Sequence, residues 1–163
     1  MRLDNIALLI AAASARGEGL TLDLGNKITL KLVKIPAGKF MMGVPAGAAD
    51  RLKTDEDEHE VTVAKEFWMG ATEVPQAQYE TIMGDNPVVT KPPPPNRTQV
   101  VDPQCPVVRV SLNQAREFCK KLSAQSGKTV RIPTEQECEY AARRWRWTQW
   151  CQTCRPRVVQ GQQ

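Results

Sequence analysis

The sequence contains one histidine, His59, so a histidine-rich zinc site or a Ser-His-Asp triad would have to rest on that imidazole. No apolar run approaches the length a bilayer-crossing helix needs. Net charge is also scarce. The 22 Lys and Arg against 18 Asp and Glu leave +4, too small an excess to mark a nucleic-acid binder. Without Arg143, Arg144, Arg146, Arg155 and Arg157 the remainder is near neutral, so the excess belongs to the C-terminal end. The five cysteines (Cys105, Cys119, Cys138, Cys151, Cys154) are odd in number and unevenly spaced, which excludes a small secreted disulfide framework. The acidic run "DRLKTDEDEHE" has neither the glycine nor the alternation of an EF-hand. It reads as a solvated surface loop, His59 included.

What is present suits one soluble globular domain. Apolar and charged fractions of 41% and 25% are ordinary, and 163 residues can bury a sizeable core. Arg2, the run "IALLIAAASA" and Ala13-Ser14-Ala15 before Arg16 resemble a short export signal, although Asp4 weakens its basic start. The other readings are an amphipathic extension, or a start placed inside a longer signal. Residues 16–26, rich in glycine and polar groups, read as a linker.

From Ile28 the pattern is strand-like. Ile28, Leu30 and Leu32 share one face, and Val33 and Ile35 the other, which predicts a bulge or burial on both sides. Pro36-Ala37-Gly38 is a turn, and Phe40 and Met42 are core positions of the next strand. Val61, Val63, Phe67 and Met69 predict two half-buried strand pieces. A helix follows, with Pro75 suited to its first position, Tyr79, Ile82 and Met83 buried, and Gly84 as its stop. Residues 85–104, with Pro92 to Pro95 in a row, read as a long surface loop that also carries the sequon Asn96-Arg97-Thr98. Ser111 and Gln114 form a capping box for a second helix that buries Leu112, Ala115, Phe118, Cys119 and Leu122 and ends at Gly127. In the stretch "RIPTEQECEYAAR", residues 131–143, Thr134 and Glu137 cap a third helix whose apolar stripe is Cys138, Ala141, Ala142 and Trp145. On these faces Cys119 and Cys138 read as buried free thiols.

The same stretch resembles the R-L-P-T-E-x-E-W-E-Y-A-A-R signature of the formylglycine-generating enzyme family, the sulfatase-modifying factors. Ile132 stands for Leu and Cys138 for Trp. "GKFMMG", "ATEVPQAQYETIMG" and "PVVRVSLNQAREFC" resemble further family motifs. Pro75 replaces the usual Thr, Leu112 the usual Trp and Gln114 the usual acidic residue. The resemblance spans about residues 32–143. It implies an α+β domain, a partial formylglycine-generating-enzyme (C-type-lectin-like) fold with short strands, two or three helices and much irregular structure. Residues 1–26 are then signal peptide and linker, 27–143 a truncated domain, and 144–163 a divergent tail.

Active members oxidise a sulfatase cysteine to formylglycine, using copper held by a cysteine pair near the C-terminus, and most of their calcium positions lie in the same half. The G-N-x-W-E-W and R-G-G-S-W motifs of that half are missing here. No catalytic, cofactor or metal residue can therefore be carried over, and the chain alone is expected to be inactive and without a cofactor. The family also includes iron-dependent sulfoxide synthases and members without known catalysis, so the alternative is a non-catalytic protein-binding module. A sulfatase or another protein is the implied partner, with no nucleic acid and no integral membrane segment. The implied location is periplasmic or extracellular if the leader works, otherwise cytoplasmic.

The tail "RWRWTQWCQTCRPRVVQGQQ" admits three readings. Cys151 and Cys154 have the spacing of a soft-metal or redox pair but lack a second pair and a strand–helix setting. Arg143 to Trp150 suits an anionic surface. Alternating Arg and Trp is also what a glycine-rich turn gives when read out of frame, because a Trp codon shifted by one base begins a Gly codon. This third reading is favoured. It predicts that another frame beyond residue 143 restores Trp-Gly and G-N-x-W-E-W.

Overall fold

The computed structural model describes residues 9–11 (as backbone), 19–47, 57–91 and 100–144. The acidic run up to residue 56, the prolines and sequon at 92–99, and the tail with Trp145, Cys151 and Cys154 lie outside the described residues.

A five-stranded sheet organises the molecule. Its strands are β1 (Leu9–Ala11), β2 (Leu20–Gly25), β3 (Ile28–Ile35), β6 (Phe67–Gly70) and β7 (Thr129–Arg131), in the order β2-β3-β6-β1-β7. All four pairings are antiparallel. A separate hairpin joins β4 (Gly38–Met42) to β5 (His59–Val63). The helices are α1 (Gln76–Met83), α2 (Pro87–Thr90), α3 (Leu112–Ser126) and α4 (Glu135–Arg144).

The phase change in β3 reflects burial on both faces. Leu30 and Leu32 join Leu22, Leu24 and Trp68 in a core beneath α1 and α3, where Tyr79 and Phe118 stack with ring centroids 5.5 Å apart. Val33 and Ile35 belong to a second core with Phe67, Met69, Val63 and Tyr140, covered by α4 and the β4–β5 hairpin. Alternation along a strand sends successive side chains to opposite faces, so β3 and β6 serve both cores. All four residues of β6 are buried, not half of them.

Several expectations are corrected. Leu20–Gly25 is a strand, not a linker; its Leu22 and Leu24 are buried, and Asn26 and Lys27, with φ of 52° and 63°, make the tight turn into β3. Pro75 is the N-cap of α1, one position before the helix, and makes no side-chain cap. The free amides of that first turn are instead met from across the chain: Gln76 donates to the Cys105 carbonyl at 2.8 Å and Ala77 to that of Pro103 at 3.1 Å. The region read as one long loop contains α2, capped by the Asn86 side chain accepting from the Val88 amide at 3.0 Å. Leu112 is 42% exposed and does not belong to the α3 stripe, whereas Ala115, Phe118, Cys119 and Leu122 do. On α4 the buried residues are Tyr140 and Ala141, with Cys138 half-buried and Ala142 exposed. His59 opens β5 and pairs with Met42, so it lies on a strand and not in a loop. The capping box of α3 and its left-handed stop at Gly127 are as expected, as is Gly84 after α1.

Candidate functional site

The signature stretch occupies the joint between β7, α4 and the β4–β5 hairpin. Arg131 leaves β7 and donates to both carboxylate oxygens of Glu137, at 2.8 and 2.6 Å. Glu137 also accepts from the Thr134 amide at 2.8 Å, and its own amide donates to the Thr134 hydroxyl at 3.2 Å, which completes the capping box. Burial opposes charge on Glu137. The hydrogen bonds from Arg131 and from the Thr134 amide outweigh it and hold the carboxyl below its usual range. The same pairing raises the Arg131 guanidinium.

Two residues on, Glu139 accepts from the Gly43 amide at 3.1 Å and from Arg143 at 2.8 Å, while Arg143 donates to the Gly43 carbonyl at 2.5 Å. Both main-chain groups of Gly43 are thereby tied to α4 just after β4. Tyr140, 1% exposed, packs on Phe40 with ring centroids 5.3 Å apart and receives a hydrogen bond from Arg144 at 3.0 Å. A Cβ at Gly38 would collide with its hydroxyl, so that position fits only glycine without rearrangement. Arg131, Thr134, Glu137, Glu139, Tyr140 and Arg143 are thus all engaged in holding one strand, one helix and one hairpin together.

The cysteines fall into two classes. Cys119 and Cys138 are free thiols; burial pushes Cys119 up to about 11 and also raises Cys138, which Glu137 and Glu135 raise further. Cys105 is disulfide-bonded. No group of three or more His, Cys, Asp and Glu side chains that could hold a metal ion occurs among the described residues. His59 is exposed and its Nδ1 lies 3.0 Å from the Asp57 carbonyl. Among the described residues Cys119 and Cys138 sit on different helices, α3 and α4, and no acidic cluster gathers oxygens for a metal ion.

A cavity of about 460 Å³ lies between the β2–β3 turn, the start of α1 and Pro103–Pro106. Lys27, Lys31, Thr72, Glu73 and Gln78 supply its polar wall. Gln78 donates to the Thr29 carbonyl at 2.9 Å, while its own side-chain oxygen is buried and accepts nothing among the described residues. Sequence reasoning missed this cavity because its walls come from segments far apart in the chain. The buried Gln78 on α1 was the one available signal. No helix among the described residues is long and apolar enough to cross a membrane.

No curated protein matches the chain. Among solved structures it is similar to that of PvdO from Pseudomonas aeruginosa, with a TM-score of 0.63 and 28% identity over 80% of this chain. The chain spans about half of that structure, 53% of its length. The likeness agrees with the α+β, C-type-lectin-like architecture. The model of the sulfatase-modifying factor enzyme 1-like domain matches residues 25–158, past Arg143 and into the tail. With most of its length so matched and its signature folded into the α4 joint, the chain belongs to the family of the sulfatase-modifying factor enzyme 1-like domain.

Proposed function

We propose that this chain builds the scaffold portion of a formylglycine-generating-enzyme-like domain and does not by itself oxidise a cysteine to formylglycine. The observation that carries this reading is the use made of the signature: its charged and hydroxyl groups serve the α4 joint, in ion pairs, caps and main-chain clamps. A group committed to such contacts is poorly placed for proton transfer or oxygen chemistry, which requires a side chain within reach of the reacting atoms. The free thiols are held protonated by burial, the opposite of what a nucleophile or copper ligand needs.

The test is incubation of the purified chain with copper, oxygen and a peptide bearing a sulfatase-type cysteine motif, followed by mass spectrometry. Unchanged peptide is the expected result; aldehyde formation overturns the reading.

A second reading is favoured by the cavity beside α1, whose Lys27, Lys31 and Glu73 offer both signs of charge. It makes the chain a non-catalytic protein-binding module of the same fold, a sulfatase being one candidate partner. Cooperative unfolding without turnover, together with saturable binding to a sulfatase that Lys31→Glu weakens, would support it. No saturable binding would remove it.

A further inference from the structure

The apolar run near the N-terminus has the composition of an export leader, yet three of its residues are built into the sheet. Leu9 pairs with Met69 and Ile10 with Trp68 on one side. On the other side Leu9, Ile10 and Ala11 pair with Arg131, Val130 and Thr129. β6 and β7 are not bonded to each other in the strand order; β1 is the strand between them. Ile10 faces a partner on both sides at once. The walls of the gap include Trp68 and Met69, each 2% exposed, and Val130 at 6%.

We propose that the gap between β6 and β7 is a strand-acceptor site for a short, extended, apolar peptide segment, and that the chain's own Leu9–Ala11 is its resident occupant. Three physical arguments converge. Removing the occupant would leave the facing edges of β6 and β7 without ladder partners beside the buried Trp68, Met69 and Val130, and unpaired main-chain groups there are costly. Antiparallel pairing on both sides supplies main-chain hydrogen bonds that need no particular side chain, while the apolar surroundings select apolar residues; strand-addition sites recognise peptides in this way. The segment supplied, Leu-Ile-Ala, has no proline and no charge, as the middle of a sheet requires. β7 leads directly into Thr134 and the α4 joint, so the occupant also links that joint to the rest of the sheet. The inference is independent of whether the chain is catalytic.

The test uses the full chain carrying Ile10→Pro, with Ile10→Ala as the control that keeps the amide. Hydrogen exchange is followed at the amides of Thr129–Arg131, with the β4–β5 hairpin as internal reference. The expected result is exchange at least tenfold faster at 129–131 in Ile10→Pro, with Ile10→Ala and the hairpin close to the parent. Equal protection in all three proteins overturns the proposal. Should Ile10→Pro lose protection everywhere, the Ala11→Cys, Thr129→Cys double variant decides, because these residues are paired across the ladder and Thr129 is exposed. A disulfide between them within one chain, identified by peptide mapping, supports the proposal. No such disulfide, or one formed only between two chains, overturns it.

Discussion

The carboxylate of Glu137 is held at once by the guanidinium of Arg131, six residues before it on β7, and by the amide of Thr134 at the mouth of α4. One side chain therefore fixes both the direction in which the strand ends and the point at which the helix begins. Glu139 and Arg143, further along α4, repeat the device against Gly43. The family signature is, in this chain, the wording of a joint.

Replacing Glu137 by Gln should cost about 1–2 kcal/mol at neutral pH, the order of the charge-assisted hydrogen bonding lost to Arg131, since Gln can still complete the capping box. The pH dependence follows from the sign of the shift. Glu137 has a folded-state pKa below its unfolded value, so the unfolded chain binds that proton more tightly. Its contribution is complete above the ordinary carboxylate range, and it is lost as pH falls through the folded-state value. Denaturant titrations of parent and Glu137→Gln should differ most near neutrality and converge on acidification. A difference that grows on acidification would refute the assignment.

Gly38 and Tyr140 should behave as a coupled pair. Gly38→Ala places a methyl group against the buried Tyr140 hydroxyl and is expected to cost about 1–3 kcal/mol, as overpacking does. Tyr140→Phe removes the obstructing oxygen, although it also removes the acceptor for Arg144. A double-mutant cycle should show Gly38→Ala less damaging when combined with Tyr140→Phe than in the parent. Additive effects would mean that the backbone moves aside instead.

The thiols give a measurement that needs no mutation. With Cys119 pushed up to about 11, only about one thiol in a thousand is ionised at pH 8, and the group is 4% exposed as well. Alkylation at Cys119 should therefore be slow in the native protein and become fast at the unfolding transition. Cys138, half-buried and raised in the same direction, should react faster than Cys119 and well behind a free exposed thiol. Rapid native-state labelling of Cys119 would show that α3 opens readily.

The local grammar of caps and turns was legible in the sequence, and the long-range geometry was not. Ser111 with Gln114, Thr134 with Glu137, and the stops at Gly84 and Gly127 are each decided within a few residues, and all four stand. Pro75 falls one position from its expected place because the carbonyls that serve the α1 amides come from Pro103 and Cys105, nearly thirty residues away. β2 was hidden because a short Leu-x-Leu-x-Leu alternation sits among glycines, and the turn residues Asn26 and Lys27 are not the usual Asn-Gly pair. Leu112 sits where the family places Trp and reads as a core residue, yet it is exposed, lining a shallow groove with Cys119, Ile132 and Pro133. Losing an aromatic at an exposed position costs less packing than losing one from a sealed core. The cavity beside α1 was beyond reach, since periodicity reports which face is buried and not what three distant segments enclose.

The Tyr79 hydroxyl makes the sharpest test of the core beneath α1. Its ring stacks on Phe118 and the residue is fully buried, but the hydroxyl finds no hydrogen-bond partner among the described residues. Burial, with Asp85 and then Glu117 adding to it, pushes the group up to about 12, so it stays neutral throughout the accessible range. A buried hydroxyl with no partner forfeits its hydration without recompense, a penalty of about 1–3 kcal/mol. Tyr79→Phe keeps the ring and its stacking and deletes only the oxygen. The expected outcome is therefore a gain in stability of about 1 kcal/mol at neutral pH, seen as a higher denaturant midpoint with an unchanged slope. A loss of stability would mean that the hydroxyl is satisfied, by a water or by a group from outside the described residues.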